Sequence, residues 1–144
     1  MIREVNAVDH IAQIQDLAAE NWKETGFGFE LKPSLKLHQL LQDAGVLIAL
    51  AAFDGDEIVG YSTATVGPHM FNDEVMVCTT SALFVKKSHR GGSIPGRLVI
   101  ETERAAKRRG AQLLFWQTRA GTELATTLKK RGYIDADVAV MKEI

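Results

Sequence analysis

The stretch from Ser81 to Gly110, SALFVKKSHRGGSIPGRLVIETERAAKRRG, constrains the fold more than any other part of this chain. An apolar, strand-like run from Ala82 to Val85 enters a basic turn, Lys86 to Arg90, and then a small-residue loop, Gly91 to Gly96. A helix from about Pro95 to Arg109, closed by Gly110, is predicted to follow. A strand feeding a glycine-rich loop at a helix N-terminus aims several backbone N–H groups at one point, with the positive end of the helix dipole behind them. That arrangement suits a phosphate or pyrophosphate.

At 144 residues the chain has room for one domain, residues 1–144, and one good core. Charged residues make up 24% and hydrophobic residues 46%, which is globular usage and argues against disorder. The net charge of −1 gives no general pull toward nucleic acid or an anionic membrane. The single cysteine, Cys78, has no partner for an internal disulfide and reads as a small buried hydrophobe in a reducing compartment. No basic-then-apolar leader opens the sequence, and no apolar run approaches the roughly 18 residues of a membrane span. A cytoplasmic protein is the expectation.

The elements read as follows. A strand at Ile2 to Val5 precedes a helix capped by Asp9, with Ile11, Ile14, Leu17 and Ala18 on one face. Asn21 to Glu30 reads as a loop, in which Phe27 and Phe29 serve either as core anchors or as a substrate-facing wall. Pro33-Ser34 opens a second helix that stops at Gly45. Val46 to Phe53, the turn Asp54 to Glu57 and Ile58 to Val66 form a hairpin. Gly67-Pro68 breaks that strand, His69 to Glu74 forms a loop, and Val75 to Val85 is a long strand. After the long helix come a strand at Ala111 to Gln117, a helix at Thr122 to Arg131 and a last strand at Val138 to Ile144. The order implies an α/β (α+β) fold, with a mixed, mostly antiparallel sheet of six to seven strands and about four helices on both faces.

Three segments in this order resemble the GNAT superfamily, the Gcn5-related N-acetyltransferases. DGDEIVGY (54–61) is similar to the family's second and third strands. LFVKKSHRGGSIPGRL (83–98) is similar to its acyl-CoA segment, Arg/Gln-x-x-Gly-x-Gly/Ala after a strand ending in Val. ATTLKKRGYIDADVAVMKEI (125–144) is similar to its closing helix, glycine, aromatic and final strand. The His-x-Phe-x-Asp-Glu loop at 69–74 resembles that of small phage-borne members.

The resemblance implies an acetyl-CoA-dependent N-acyltransferase acting on a small-molecule or peptide amine, by direct attack in a ternary complex. It implies acetyl-CoA binding by Leu83, Phe84 and Val85 on the strand and by Arg90, Gly91, Gly92, Ser93, Ile94, Gly96 and Arg97 on the loop. No metal, nucleic acid or membrane partner is expected, and a homodimer stays open. The chain departs from the family pattern at several positions. Ser93 and Pro95 stand where the motif glycines are usual, and Pro95 brings no N–H. Leu128 stands where many relatives carry a tyrosine acid, and Thr79 and Thr80 where some carry a strand glutamate. The catalytic candidates are then Glu74, Thr80 and Tyr133, with Asp73 and His69 beside the first. These departures motivate an alternative: a GNAT-fold module that binds CoA or a partner without turnover.

Other features have plain readings. Trp22 and Trp116 read as core residues. Lys107 to Arg109 and Lys129 to Arg131 read as solvated helix ends, where cations favour the dipole.

Overall fold

The computed structural model describes residues 1–118 and 122–144. Its elements are β1 (Ile2–Glu4), α1 (Ile11–Trp22), α2 (Leu35–Asp43), β2 (Leu47–Asp54), β3 (Glu57–His69), β4 (Asn72–Val85), α3 (Ile94–Arg108), β5 (Leu113–Phe115) and α4 (Glu123–Lys130). A short 3₁₀ turn, Lys87–His89, lies between β4 and α3. The sheet order is β1-β2-β3-β4-β5, antiparallel throughout except for the parallel β4–β5 pair. The fold class is the mixed α/β arrangement expected from sequence, with five strands among the described residues in place of six to seven.

The strand β2 is buried on both faces, which explains its unbroken apolar run LIALAAF. Alternate residues Ile48, Leu50 and Ala52 pack with Leu98, Ala105 and Ala106 of α3. The others, Leu47, Ala49 and Ala51, pack with Ile14 and Leu17 of α1 and with Leu41 of α2. Helices therefore cover both faces, and α3 is fixed to β3 by more than apolar contact. Ser62 Oγ and Thr102 Oγ1 lie 2.8 Å apart in full burial, and Thr102 Oγ1 also donates to Leu98 O at 2.8 Å.

Four expectations are corrected. Asp9 does not cap α1: the N-cap residue is His10, with no side-chain cap, and Asn6 Oδ1 accepts from the N–H groups of Val8 and Asp9 one turn earlier. Gly67-Pro68 does not end β3, because Pro68 pairs with Met76, whose backbone faces β5, so the ladder with β4 asks no N–H of the proline. The stretch 69–74 is consequently a tight hairpin, with Met70 and Phe71 at an exposed tip, rather than a loop. Val138 to Ile144 forms no strand. With β5 only three residues long, the edge beside it offers little ladder for a further strand. The tail instead leaves Val138, Val140, Met141 and Ile144 exposed.

Thr102→Val removes the hydroxyl that Ser62 needs and leaves a buried polar group unpaired. A loss of about 1–3 kcal/mol in unfolding free energy is expected by denaturant titration. Combining it with Ser62→Ala is expected to cost less than the sum of the two single changes, since both remove the same bond.

Candidate active site

The pairing of β4 with β5 covers only Val77↔Leu113, Cys78↔Leu114 and Thr79↔Phe115. Thr80 then closes it with its side chain. Its buried hydroxyl donates to Phe115 O and accepts from Gln117 N, each at 3.2 Å. Beyond Thr80, no described strand pairs with that edge of β4, and the two strands form a fork.

A bulge decides which backbone groups face the fork. Ala64 pairs with Thr80 and Thr63 with Ala82, so Ser81 is the extra residue. Before it, Met76 turns its backbone toward β5, accepting from Gln112 N at 2.9 Å. After it, Lys86 N donates to Val59 O of β3 at 2.8 Å. Alternation along the strand then turns the backbone groups of Leu83 and Val85 toward the open edge. Val85 O lies on that side and accepts from Arg90 Nε at 2.8 Å. The N–H and C=O of Leu83 and the N–H of Val85 are left facing the gap.

The strand runs directly into a cradle of amides. His89 N and Arg90 N are spent on the 3₁₀ turn, donating to Lys86 O and Lys87 O. The N–H groups of Gly91, Gly92, Ser93, Ile94 and Gly96 have no acceptor among the described residues, and Pro95 has no N–H to offer. None of the three loop glycines has a positive φ. A Cβ on Gly91 or Gly96 would meet nothing within 4 Å, and one on Gly92 only His89 O at 3.9 Å. Neither backbone strain nor packing calls for glycine here, and the bare glycines leave the amides open to approach.

The loop cations divide unevenly. Lys86 pairs with Glu57, and His89 Nε2 lies 3.2 Å from Asp54. Arg90, expected to serve the anion, is committed to the fold. Besides Val85 O, its guanidinium donates to Asn21 Oδ1 and to both oxygens of Glu24, at 3.3 and 3.2 Å. This ties the end of α1 to the loop, and sequence reasoning missed it because Asn21 and Arg90 stand 69 positions apart. Lys87 stays largely exposed beside Glu24. Arg97, on the first turn of α3, has no ion pair among the described residues.

The three catalytic candidates occupy different places. Thr80 holds the fork, its hydroxyl engaged as both donor and acceptor. Tyr133 stands near the other arm. Its hydroxyl donates to Glu103 Oε2 of α3 at 3.2 Å and faces the indole of Trp116, whose buried Nε1–H has no hydrogen-bond partner among the described residues. Burial, reinforced by the Glu103 charge, pushes the Tyr133 phenol up, so it stays protonated. Lys107, bonded to Glu103 at 2.9 Å, pulls that carboxyl down. Glu74 is far from Thr80. Six residues of strand separate it from Thr80, about 20 Å, so it cannot share a proton with a group at the fork. Asp73 and His69 lie further along toward the same exposed hairpin tip.

The acetyltransferase (GNAT) family model matches residues 11–133. A search of curated proteins gives no match. Among solved structures, an aminoglycoside acetyltransferase from an uncultured soil metagenomic sample is 23% identical with a TM-score of 0.77, covering 100% of this chain and 97% of its own. A ribosomal-protein-alanine N-acetyltransferase from Brucella melitensis biovar Abortus is 17% identical with a TM-score of 0.73, covering 100% and 99%. AAC(6')-Iy, in complex with the bisubstrate analogue CoA-S-monomethyl-acetylneamine, is 16% identical with a TM-score of 0.76, covering 100% and 97%. At these identities the likeness establishes the fold.

The two arginines are expected to separate cleanly. Arg97→Ala is expected to weaken binding of a phosphate-bearing probe such as CoA about tenfold at low salt, less as ionic strength rises, with an unchanged melting temperature. Arg90→Ala strands the buried Asn21 oxygen and lowers stability by about 1–3 kcal/mol. Calorimetry with CoA and thermal melts of both variants distinguish the roles.

Proposed function

The chain belongs to the GNAT acetyltransferase family, and we propose that it is an acetyl-CoA-dependent N-acetyltransferase acting on an amine by direct attack in a ternary complex. The observation that carries this reading is the continuity of two unpaired backbone surfaces. The open edge at Leu83 and Val85 leads straight into the free amides of Gly91, Gly92, Ser93, Ile94 and Gly96.

Bound acetyl-CoA supplies the activated acetyl group as a thioester. The chain's own residues bind and orient. The loop amides and Arg97 are suited to the phosphate oxygens. Leu83 and Val85 offer an extended, amide-bearing arm the hydrogen bonds of an added strand. Phe84 lies on the same strand, partly buried against the α1 side of the core. Thr80 sets the fork as a positioning residue. Tyr133 is the remaining proton-donor candidate, protonated and one side chain away from the β5 arm. Such a site works through positioning and fixed dipoles more than through side-chain acids and bases.

Direct attack is favoured by the state of the only cysteine. Cys78 is wholly buried in β4, and burial pushes its thiol up to about 11. The thiolate needed for an acyl-cysteine therefore does not form at ordinary pH.

The acceptor class is read from relatives. Structural neighbours include an aminoglycoside acetyltransferase in complex with sisomicin and a ribosomal-protein-alanine N-acetyltransferase. A small polyamine-like acceptor is our first choice and a peptide amine the second. The 69–74 hairpin is the feature that supports placing the chain among small phage-borne members.

Incubation with acetyl-CoA and a panel of aminoglycosides, polyamines and peptides is expected to release free CoA with at least one acceptor. CoA binding by calorimetry without turnover on any acceptor would instead favour a regulatory CoA-binding module, and absence of both would overturn the acetyl-CoA reading. Without acceptor, intact-mass measurement is expected to show no acetylated protein; an adduct on Cys78 would exclude direct attack. Tyr133→Phe is expected to lower kcat by about a hundredfold if the phenol donates the proton, with KM for acetyl-CoA unchanged.

A further inference from the structure

The long β3–β4 hairpin ends in an apolar tip that its own turn does not require. Met70 and Phe71 form the two-residue turn between the paired His69 and Asn72, and they are 91% and 90% exposed. Tight hairpin turns favour asparagine, aspartate and glycine, which ease the backbone through the bend. A methionine and a phenylalanine serve no such turn chemistry and place two large apolar side chains in water. The tip is also held in shape. His69 Nδ1 accepts from Phe71 N at 3.1 Å, the two rings stand 6.0 Å apart, and Asn72 Oδ1 accepts from Glu74 N at 3.1 Å. An apolar group that is both exposed and pre-ordered is suited to docking, because little freedom is lost when it binds.

A second apolar surface lies at the same end of the sheet. Helix α2 buries none of its residues. Leu37, Leu40 and Leu41 fall within about 100° of arc around its axis. Leu41 packs on the core, whereas Leu37 and Leu40 are left 53% and 58% exposed. The helix delivers the chain to Val46, whose carbonyl accepts from Val66 N, and Met70 is four residues further on. The tip therefore projects roughly 13 Å past Val46. Within one chain both surfaces stay uncovered.

Charge makes the two surfaces complementary. Asp73 and Glu74 are exposed beside the tip, and Lys32 and Lys36 are exposed around the start of α2. None of the four makes an ion pair among the described residues. Asp43, the one acid on α2, accepts from Gln39 Nε2 at 2.7 Å. An acidic apolar tip and a basic apolar helix on one chain match a second copy of that chain, since in a two-fold pair each tip meets the other copy's helix. Met70, Phe71, Leu37 and Leu40 expose roughly 500 Å² of apolar side chain per copy. A symmetric pair then buries about 1,000 Å² in total, at the lower end of specific interfaces.

We infer that the chain forms a two-fold dimer in which the Met70–Phe71 tip of each copy docks on Leu37 and Leu40 of the other, with Asp73 and Glu74 facing Lys32 and Lys36. The inference concerns assembly and does not rest on acetyl transfer.

Sedimentation equilibrium of the intact chain tests it. A reversible monomer–dimer equilibrium is expected, with a dissociation constant in the micromolar range, about 1–100 μM. Phe71→Asp enters the interface twice and is expected to weaken the dimer at least about a hundredfold, with an unchanged circular dichroism spectrum. Asp73→Lys with Glu74→Lys is expected to weaken it about tenfold, and adding Lys32→Glu and Lys36→Glu to the same chain is expected to restore it. A chain that stays monomeric up to about 1 mM would assign the tip to a different partner and overturn the inference. So would a dimer that Phe71→Asp leaves intact, or a charge reversal that the second reversal does not rescue.

Discussion

The geometry of the candidate active site depends on how closely α3 approaches the sheet at Gly60. A Cβ there would stand 3.1 Å from Leu98 Cδ1, 3.2 Å from Ile94 Cγ2 and 3.3 Å from Ala52 Cβ, tighter than ordinary van der Waals contact. Gly60 pairs with Val85, the last residue of β4. The missing side chain thus seats the first turn of α3 beside the end of the strand that leads into the loop. Two turns on, the buried Ser62–Thr102 bond repeats the attachment, and Ser62 pairs with Leu83. The residues of β3 that grip α3 are the same ones that hold the open segment of β4. Fork and amide cradle are fixed against each other through one strand.

Charge is used in the same economical way. The loop carries five basic side chains, yet most of them hold protein. Arg90 secures α1, Lys86 the β2–β3 turn, and His89 approaches Asp54 at that same turn. Exposed pairs of this kind contribute little individually. The Arg90 contact differs because its partner Asn21 is buried, with its other polar atom already bonded to Leu17 O. Attraction for an anion then falls to backbone dipoles and Arg97, a weaker but pre-oriented set.

Much of this was legible in the sequence wherever local pattern decided structure. The doubly buried β2, the glycine-closed helices α2 and α3, and the loop between β4 and α3 all carry their signal within a few residues. The Ser34 cap of α2 is an example, its hydroxyl accepting from Leu37 N as the Pro33-Ser34 pair suggests. What was not legible depends on distant partners. Arg90 reads as a ligand cation until Asn21 and Glu24 are brought beside it. Glu103 reads as one half of a surface pair with Lys107 until Tyr133 arrives on its other oxygen. Thr80 stands where the family resemblance implies a catalytic residue, but its hydroxyl is engaged once β5 lies alongside. The tail after Gly132 has a strand-like composition, and a strand also needs an edge to pair with; β5 is too short to provide one.

The bulge at Ser81 connects these observations. Were Ser81 paired as an ordinary strand residue, the alternation set by Met76 would carry through β4, and Leu83 would turn its N–H and C=O toward β3 rather than toward the gap. The bulge absorbs Ser81 and so keeps Leu83 on the open edge, at the cost of a break in the β3–β4 ladder. Thr80, immediately before the bulge, offsets the parallel pairing that ends there by bonding Phe115 O and Gln117 N itself. The surface that results is made of main-chain dipoles whose direction is set by strand parity, not by side-chain identity. A site of this construction keeps its shape when Ser93, Pro95 or Leu128 depart from the family pattern. Its recognition groups come from the position of the backbone, and that position is held from the opposite side of β4 by Gly60 and Ser62.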